Sequence, residues 1–208
     1  MYCPPAFREQ DLPALHDLMR AARLANVVTS GANGIHASPL PLFLDEAEGP
    51  FGTLYGHLAR ANEQWKDTPS GEALAIFMGP DAYVTPAWYA SKKEHGKVVP
   101  TWNYSAVHAR GPIEFFDDEA RLRAVVERLT ALHEADRPEA WSVSDAPEKF
   151  IKGQLRGIIG LRLPIASLEG KRKMSQNRSV ADRAGVAAGL AESAHPAERA
   201  VAGQVPVE

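Results

Sequence analysis

The stretch NVVTSGANGIHASPLPLFL (residues 26–44) decides the fold. Its β-branched opening, Asn26-Val27-Val28-Thr29, reads as a strand. Gly31-Ala32-Asn33-Gly34 supplies a tight hairpin turn, because Gly and Asn tolerate positive φ. Ile35 to Leu44 then returns as the partner strand, with Pro39 and Pro41 marking an edge or a bulge. A turn at Asp45–Pro50 leads into a third strand, Phe51–His57. Parallel neighbours need a long crossover, so strands joined this closely must pair antiparallel.

Working outward, Asp11 caps a helix that has Pro13 in its first turn and runs to about Arg23. Ala59–Lys66 reads as a short helix, and Glu72–Met78 as a buried strand ending at Gly79-Pro80. Tyr83–Gly96 is loop-like. Val98–Phe116 holds one long strand, or two bent at Gly111-Pro112. Leu122, Val125, Val126, Leu129 and Leu132 recur at helical spacing behind Asp117 or Asp118 as cap. A further helix starts at Ser144 or Asp145, a last core strand covers Ile158–Ile165, and Val180–Glu192 is helical. The expected fold is mainly β with flanking helices, an antiparallel, partly closed barrel. It forms a single domain over 1–192, and the Ala/Pro/Gly/Glu-rich segment 193–208 is a mobile tail.

Composition narrows the function. The 208 residues are 45% hydrophobic and 24% charged, which excludes a disordered chain. No apolar run approaches the ~18 residues that would cross a bilayer. MYCPPAFREQD at the start has no basic stretch followed by an apolar core, and Cys3 is the single cysteine. A cytoplasmic protein is expected. The net charge of −3 does not support a domain that grips nucleic acid along its whole surface. Nucleotide-loop and nucleophile-elbow motifs are missing, and no catalytic residue can be named. The seven histidines lack the close pairing of a metal site.

Three stretches stand out. In GHLARANEQW (56–65) a strand hands over to a helix, and His57, Arg60 and Asn62 suit a phosphate, or simply cap and solvate the helix. Trp88, Tyr89, Trp102 and Tyr104 suit a pocket for an aromatic ring, or a core or subunit interface. EGKRKMSQNR (169–178) mixes cations with hydroxyl and amide groups, as phosphate and heterocycle recognition requires, although charge runs are often merely solvated.

GHLARANEQW, GPDAYVTPAWY, VPTWNYSAVHARG, HEADRPEAWSV and EGKRKMSQNRSVADRAGV, in order from Met1-Tyr2 to about Leu190, resemble the PaiB-type FMN-binding negative transcriptional regulators. That resemblance implies an FMN-binding split barrel similar to the pyridoxamine 5'-phosphate oxidase group, a homodimer with FMN at the subunit interface. The cofactor residues it implies are His36 and Ser38 on one strand, then Thr53, His57, Arg60 and Asn62. Trp102, Asn103 and Tyr104 complete the set with Lys173, Gln176, Asn177 and Arg178, which come from the facing subunit or from the rim. A contact with DNA would follow from the resemblance and not from the charge. An FMN-dependent oxidoreductase is the alternative function, and a barrel without flavin that serves as an interaction module is the third.

Overall fold

The computed structural model describes residues 1–208. In chain order the elements are β1 (Arg8–Glu9), α1 (Leu12–Ala21), β2 (Ala25–Gly31), β3 (Gly34–Leu40), β4 (Leu42–Asp45), β5 (Thr53–Ala59), β6 (Ala73–Val84) and α2 (Ser91–His95). They continue with β7 (Thr101–Gly111), β8 (Glu114–Phe116), α3 (Glu119–Glu134), α4 (Glu148–Leu155), β9 (Ile158–Pro164), β10 (Ser167–Lys173), α5 (Val180–Ala191) and α6 (Pro196–Ala202). No helix is long and apolar enough to cross a membrane.

The chain divides into two compact units, each built from discontinuous segments. The terminal unit takes residues 1–18, 78–107 and 169–208, and the central unit takes 19–77 and 108–168.

In the central unit, β2 and β3 make the expected hairpin, with register from Ala25↔Leu40 to Gly31↔Gly34. Gly34 has φ +105°, which only glycine adopts freely. Asp67 closes the turn, its carboxylate accepting from the Ala32 and Asn33 N–H groups at 3.0 Å each. β2 also pairs with the first half of β6. A four-stranded antiparallel sheet follows the order β4-β5-β9-β8. Val27, Leu40, Leu58, Ile159 and Leu161 form one apolar cluster. Phe43, Phe116, the α3 residues Leu122, Val125 and Leu129, and Ile151 and Leu155 of α4 form the other. Each such side chain contributes about 1.5–3 kcal/mol on burial.

In the terminal unit the strand order is β1-β10-β7-β6. The register Arg8↔Lys171 and Glu9↔Gly170 ties the start of the chain to its basic run. Tyr89, Met174, Val186 and Leu190 pack with Ala82, Val84, Val201 and Val205.

Several elements differ from the sequence reading. Ala59–Lys66 is not a helix: β5 runs on through Ala59, and only Glu63–Lys66 winds, as a 3-10 turn capped by the Asn62 side chain. The Arg60 N–H donates to the Gly157 carbonyl at 2.9 Å, which prolongs strand pairing past the expected helix start. β6 does not stop at Gly79-Pro80 but runs to Val84, and α2 occupies part of the expected loop. The first part of the basic run, through Lys173, lies on strand β10, which the sequence reading did not include. The segment 193–208 is no mobile tail: it carries α6, and Val201 and Val205 are buried in the terminal unit's core.

Candidate cofactor site

The two strands that carry the terminal unit's polar residues are β7 and β10. Both are rich in residues that satisfy their side chains locally. Lys171, buried on β10, donates from Nζ to the Tyr104 hydroxyl at 2.6 Å and to the Tyr2 carbonyl at 3.2 Å. Lys173 donates to Thr101 Oγ1 and to the Trp102 carbonyl. The Arg178 guanidinium lies 4.8 Å from the centre of the Tyr89 ring. None of these partners is a carboxylate. Burial holds the Lys173 ammonium below the usual lysine range, and the positive charges of Lys171 and Arg178 act in the same direction. Lys171 and Lys173, whose hydrogen-bond partners are uncharged, make a place that favours an anion, while the Arg178 charge also acts on the Asp182 carboxylate.

The turn after β10 is also held open by specific bonds. Ser175 has φ +62°, the one non-glycine residue in the left-handed region. Its hydroxyl donates to Asn103 Oδ1 at 3.1 Å, while the Arg178 N–H closes on the Ser175 carbonyl at 2.9 Å. Gln176 bridges the strand end, accepting from the Met174 N–H at 2.6 Å and donating to the Arg172 carbonyl at 2.5 Å. Asn103 is fully buried, and its Nδ2 has no hydrogen-bond partner. Its geometry makes it a support for the Ser175 turn. A serine in this conformation costs roughly 1 kcal/mol or more, and such strain persists where the surroundings fix it. Asn177 is exposed just beyond. Trp102, 53% exposed, meets Tyr83 edge to face at 5.9 Å.

The structure therefore brings Trp102, Asn103, Tyr104, Lys173, Gln176, Asn177 and Arg178 into one neighbourhood of the terminal unit. Sequence reasoning left Lys171 and Ser175 out of the site. Lys171 could have been found from its place in the basic run. The left-handed serine leaves no mark in the sequence.

The other expected residues lie in the central unit, at separate places. Ser38 accepts from Asn62 Nδ2 at 2.9 Å, so these two do meet. His36 Nε2 sits 3.1 Å from the Asp67 carboxylate that closes the hairpin. Thr53 is buried and donates to the Glu48 carbonyl at 3.0 Å. Arg60 donates to the carbonyls of Arg156 at 2.8 Å and Ile158 at 3.3 Å, and approaches Asp117 at 3.6 Å. His57 lines a cavity under α4 with Val126, Trp141 and Phe150. Trp88 and Tyr89 are packing residues: Tyr89 is buried, and a Cβ on Gly189 of α5 would fall 2.3 Å from the Trp88 ring.

Two antiparallel sheets with helices packed outside them make the fold a split barrel. The chain belongs to the PaiB-type FMN-binding family. Residues 1–167 match the family described as "Putative FMN-binding domain", whose cofactor is FMN. The match ends before Lys171, Lys173 and Arg178. An uncharacterized protein of Aspergillus fumigatus is 35% identical, covering 91% of this chain and 90% of that protein. The protease synthase and sporulation protein PAI 2 of Bacillus subtilis is 28% identical, covering 94% of this chain and 92% of that protein. Among solved structures, the flavocytochrome Anf3 from Azotobacter vinelandii shares the fold with a TM-score of 0.59. It is 16% identical, over 80% of this chain and 69% of that one.

Proposed function

We propose that the chain is a homodimeric, cytoplasmic FMN protein of the regulatory, PaiB type, and that Lys171, Lys173 and Arg178 hold the phosphate of FMN. The observation that carries this reading is a pair of lysines, Lys171 and Lys173, whose hydrogen-bond partners are all uncharged, with the positive charge of Arg178 acting on Lys173. A phosphate supplies the missing negative charge, and charge-assisted bonds of this kind are about twice as strong as neutral ones. Arg172 is set apart from the three, since it faces Glu9 at 3.7 Å. Ser175, Gln176 and Asn103 fix the turn that presents Arg178. FMN supplies electron-transfer chemistry when bound; the chain's own part is binding and orientation.

Dimerisation is supported by apolar side chains left in solvent. In the terminal unit Met78, Tyr83 and Trp102 are all more than two-fifths exposed, and exposed aromatic patches of this kind mark association surfaces. The regulatory role is supported by the family and by the naming of the Bacillus subtilis relative. With a net charge of −3, action on a promoter would use a local surface of the dimer rather than its overall field.

Titrating FMN into the apo-protein tests the site. Lys173→Ala is expected to weaken binding by about 1.5–3 kcal/mol with the melting temperature little changed. An unaltered affinity would remove Lys173, and with it the phosphate assignment.

A further inference from the structure

On α3, Leu122, Val125 and Leu129 pack inward, but the same apolar spacing continues to Leu132, which is 53% exposed. Leu132 is one wall of a cavity of about 760 Å³. The cavity opens between the end of α1, strand β4 and the last turns of α3, all in the central unit. Its size falls within the roughly 300–1,000 Å³ usual for small-molecule sites.

Four arginines line this space, Arg20, Arg23, Arg128 and Arg137, against one carboxylate, Asp136. Arg20 is paired with Glu46, and Arg137 with Glu134. The other two are open. The Arg23 side chain makes no hydrogen bond or ion pair, and Arg128 makes no hydrogen bond, since the Asp45 carboxylate it faces stays at 3.7 Å. Both arginines are exposed, so their N–H groups can meet a ligand. A guanidinium presents its donors as a planar fork that matches a carboxylate.

The accessible apolar surface of the cavity is aliphatic. Leu42 and Leu44 lie two residues apart on β4, hence on one face of the strand, and both are only partly buried. Ala22 and Leu132 add to them. The two aromatic rings of the lining are already engaged. Phe77 is buried, and Phe43 stacks on Tyr55 at 5.3 Å with the Arg128 guanidinium 5.2 Å from its centre. Open cations beside aliphatic walls complement a molecule with a negative head and a hydrocarbon tail.

We propose that this cavity binds an aliphatic carboxylic acid of medium chain length, its carboxylate held by Arg23 and Arg128 and its chain laid along Leu42, Leu44 and Leu132. The proposal does not depend on where FMN sits. FMN is itself an anion with a large apolar ring system, and competition between the two separates the occupants.

Calorimetric titration of the purified full chain with octanoate, octanol and acetate tests it. Octanoate is expected to bind about tenfold tighter than octanol, the worth of a charge-assisted hydrogen bond. Along the series from acetate to octanoate, affinity is expected to rise about two- to fourfold per methylene. Arg23→Gln and Arg128→Gln are each expected to weaken octanoate about tenfold and to leave octanol unchanged. Leu132→Glu, at a position already half exposed, is expected to abolish octanoate binding with the melting temperature unchanged. Failure of octanoate to bind, equal affinities for octanoate and octanol, or octanoate binding that survives both arginine variants overturns the proposal. Displacement of octanoate by FMN overturns it by giving the cavity to the cofactor, and octanoate that splits a dimer overturns it by giving the cavity to a second copy. Octanoate binding that FMN leaves unchanged supports it whether or not Lys173→Ala weakens FMN, so the two readings fail separately.

Discussion

Arg60 turns its guanidinium to the main chain. Two of its nitrogens donate to carbonyls that the junction between α4 and β9 leaves open, and a third faces Asp117. The sequence offered the same residue as a phosphate ligand, because an arginine just past a strand suits either task. The carbonyls of residues 156 and 158 that it meets lie almost a hundred residues away along the chain, beyond the reach of a local reading. Arg60→Ala is expected to lower stability by about 1 kcal/mol, since the side chain is partly exposed, and to leave FMN affinity within about twofold. Chemical denaturation alongside flavin titration checks both; a large loss of affinity with unchanged stability would restore the phosphate role. Ser38 and Asn62, far apart along the chain, are joined directly by a side-chain hydrogen bond.

At the level of elements, α5 shows how packing and charge fix a helix that propensity alone describes poorly. Gly185 and Gly189 cost helix stability, yet a Cβ at either would collide with Trp88, at 2.1 Å from its carbonyl oxygen and 2.3 Å from its ring. The same helix is tied to α2 through Asp182, whose two carboxylate oxygens accept from the Ser91 N–H and hydroxyl at 2.9 Å each. Burial by itself would raise the Asp182 pKa. The bonds from Ser91 and Ser179, with the charge of Arg178, outweigh it and hold the carboxyl below the usual range. A depressed folded pKa contributes stability that is fully present above the unfolded value and lost as pH falls through the folded one. Asp182→Ala is therefore expected to cost about 1–3 kcal/mol at neutral pH and to flatten the acid limb below about pH 4. Thermal melts of both proteins between pH 3 and 7 read this out, and parallel curves would contradict it. The hairpin β2–β3, α3 and β9 were all legible in the sequence because turn chemistry or periodicity is local. Strand β10 was not: five of its seven residues are polar or charged, and it is a strand because β1 and β7 flank it. Nor was α6 legible, since its low-complexity composition conceals Val201 and Val205, which meet α5 only in the folded unit.

For the whole molecule, the division into two units assigns the chemistry. The central unit contains the hairpin from which the antiparallel fold was read, and most of the residues matched to the family. The terminal unit gathers the first and last segments of the chain, and through them Lys171 and Lys173, whose hydrogen-bond partners are uncharged. Composition could exclude a membrane helix and a broadly basic nucleic-acid binder, but could not show that residues 101–104 and 171–178 would lie together. The central claim is that this arrangement holds FMN. The absorption spectrum of the protein as purified, followed by mass identification of whatever acid releases, tests it most directly. The account predicts a yellow protein with an oxidised-flavin band and one FMN released per chain. A colourless protein that takes up no FMN when the cofactor is added would contradict it.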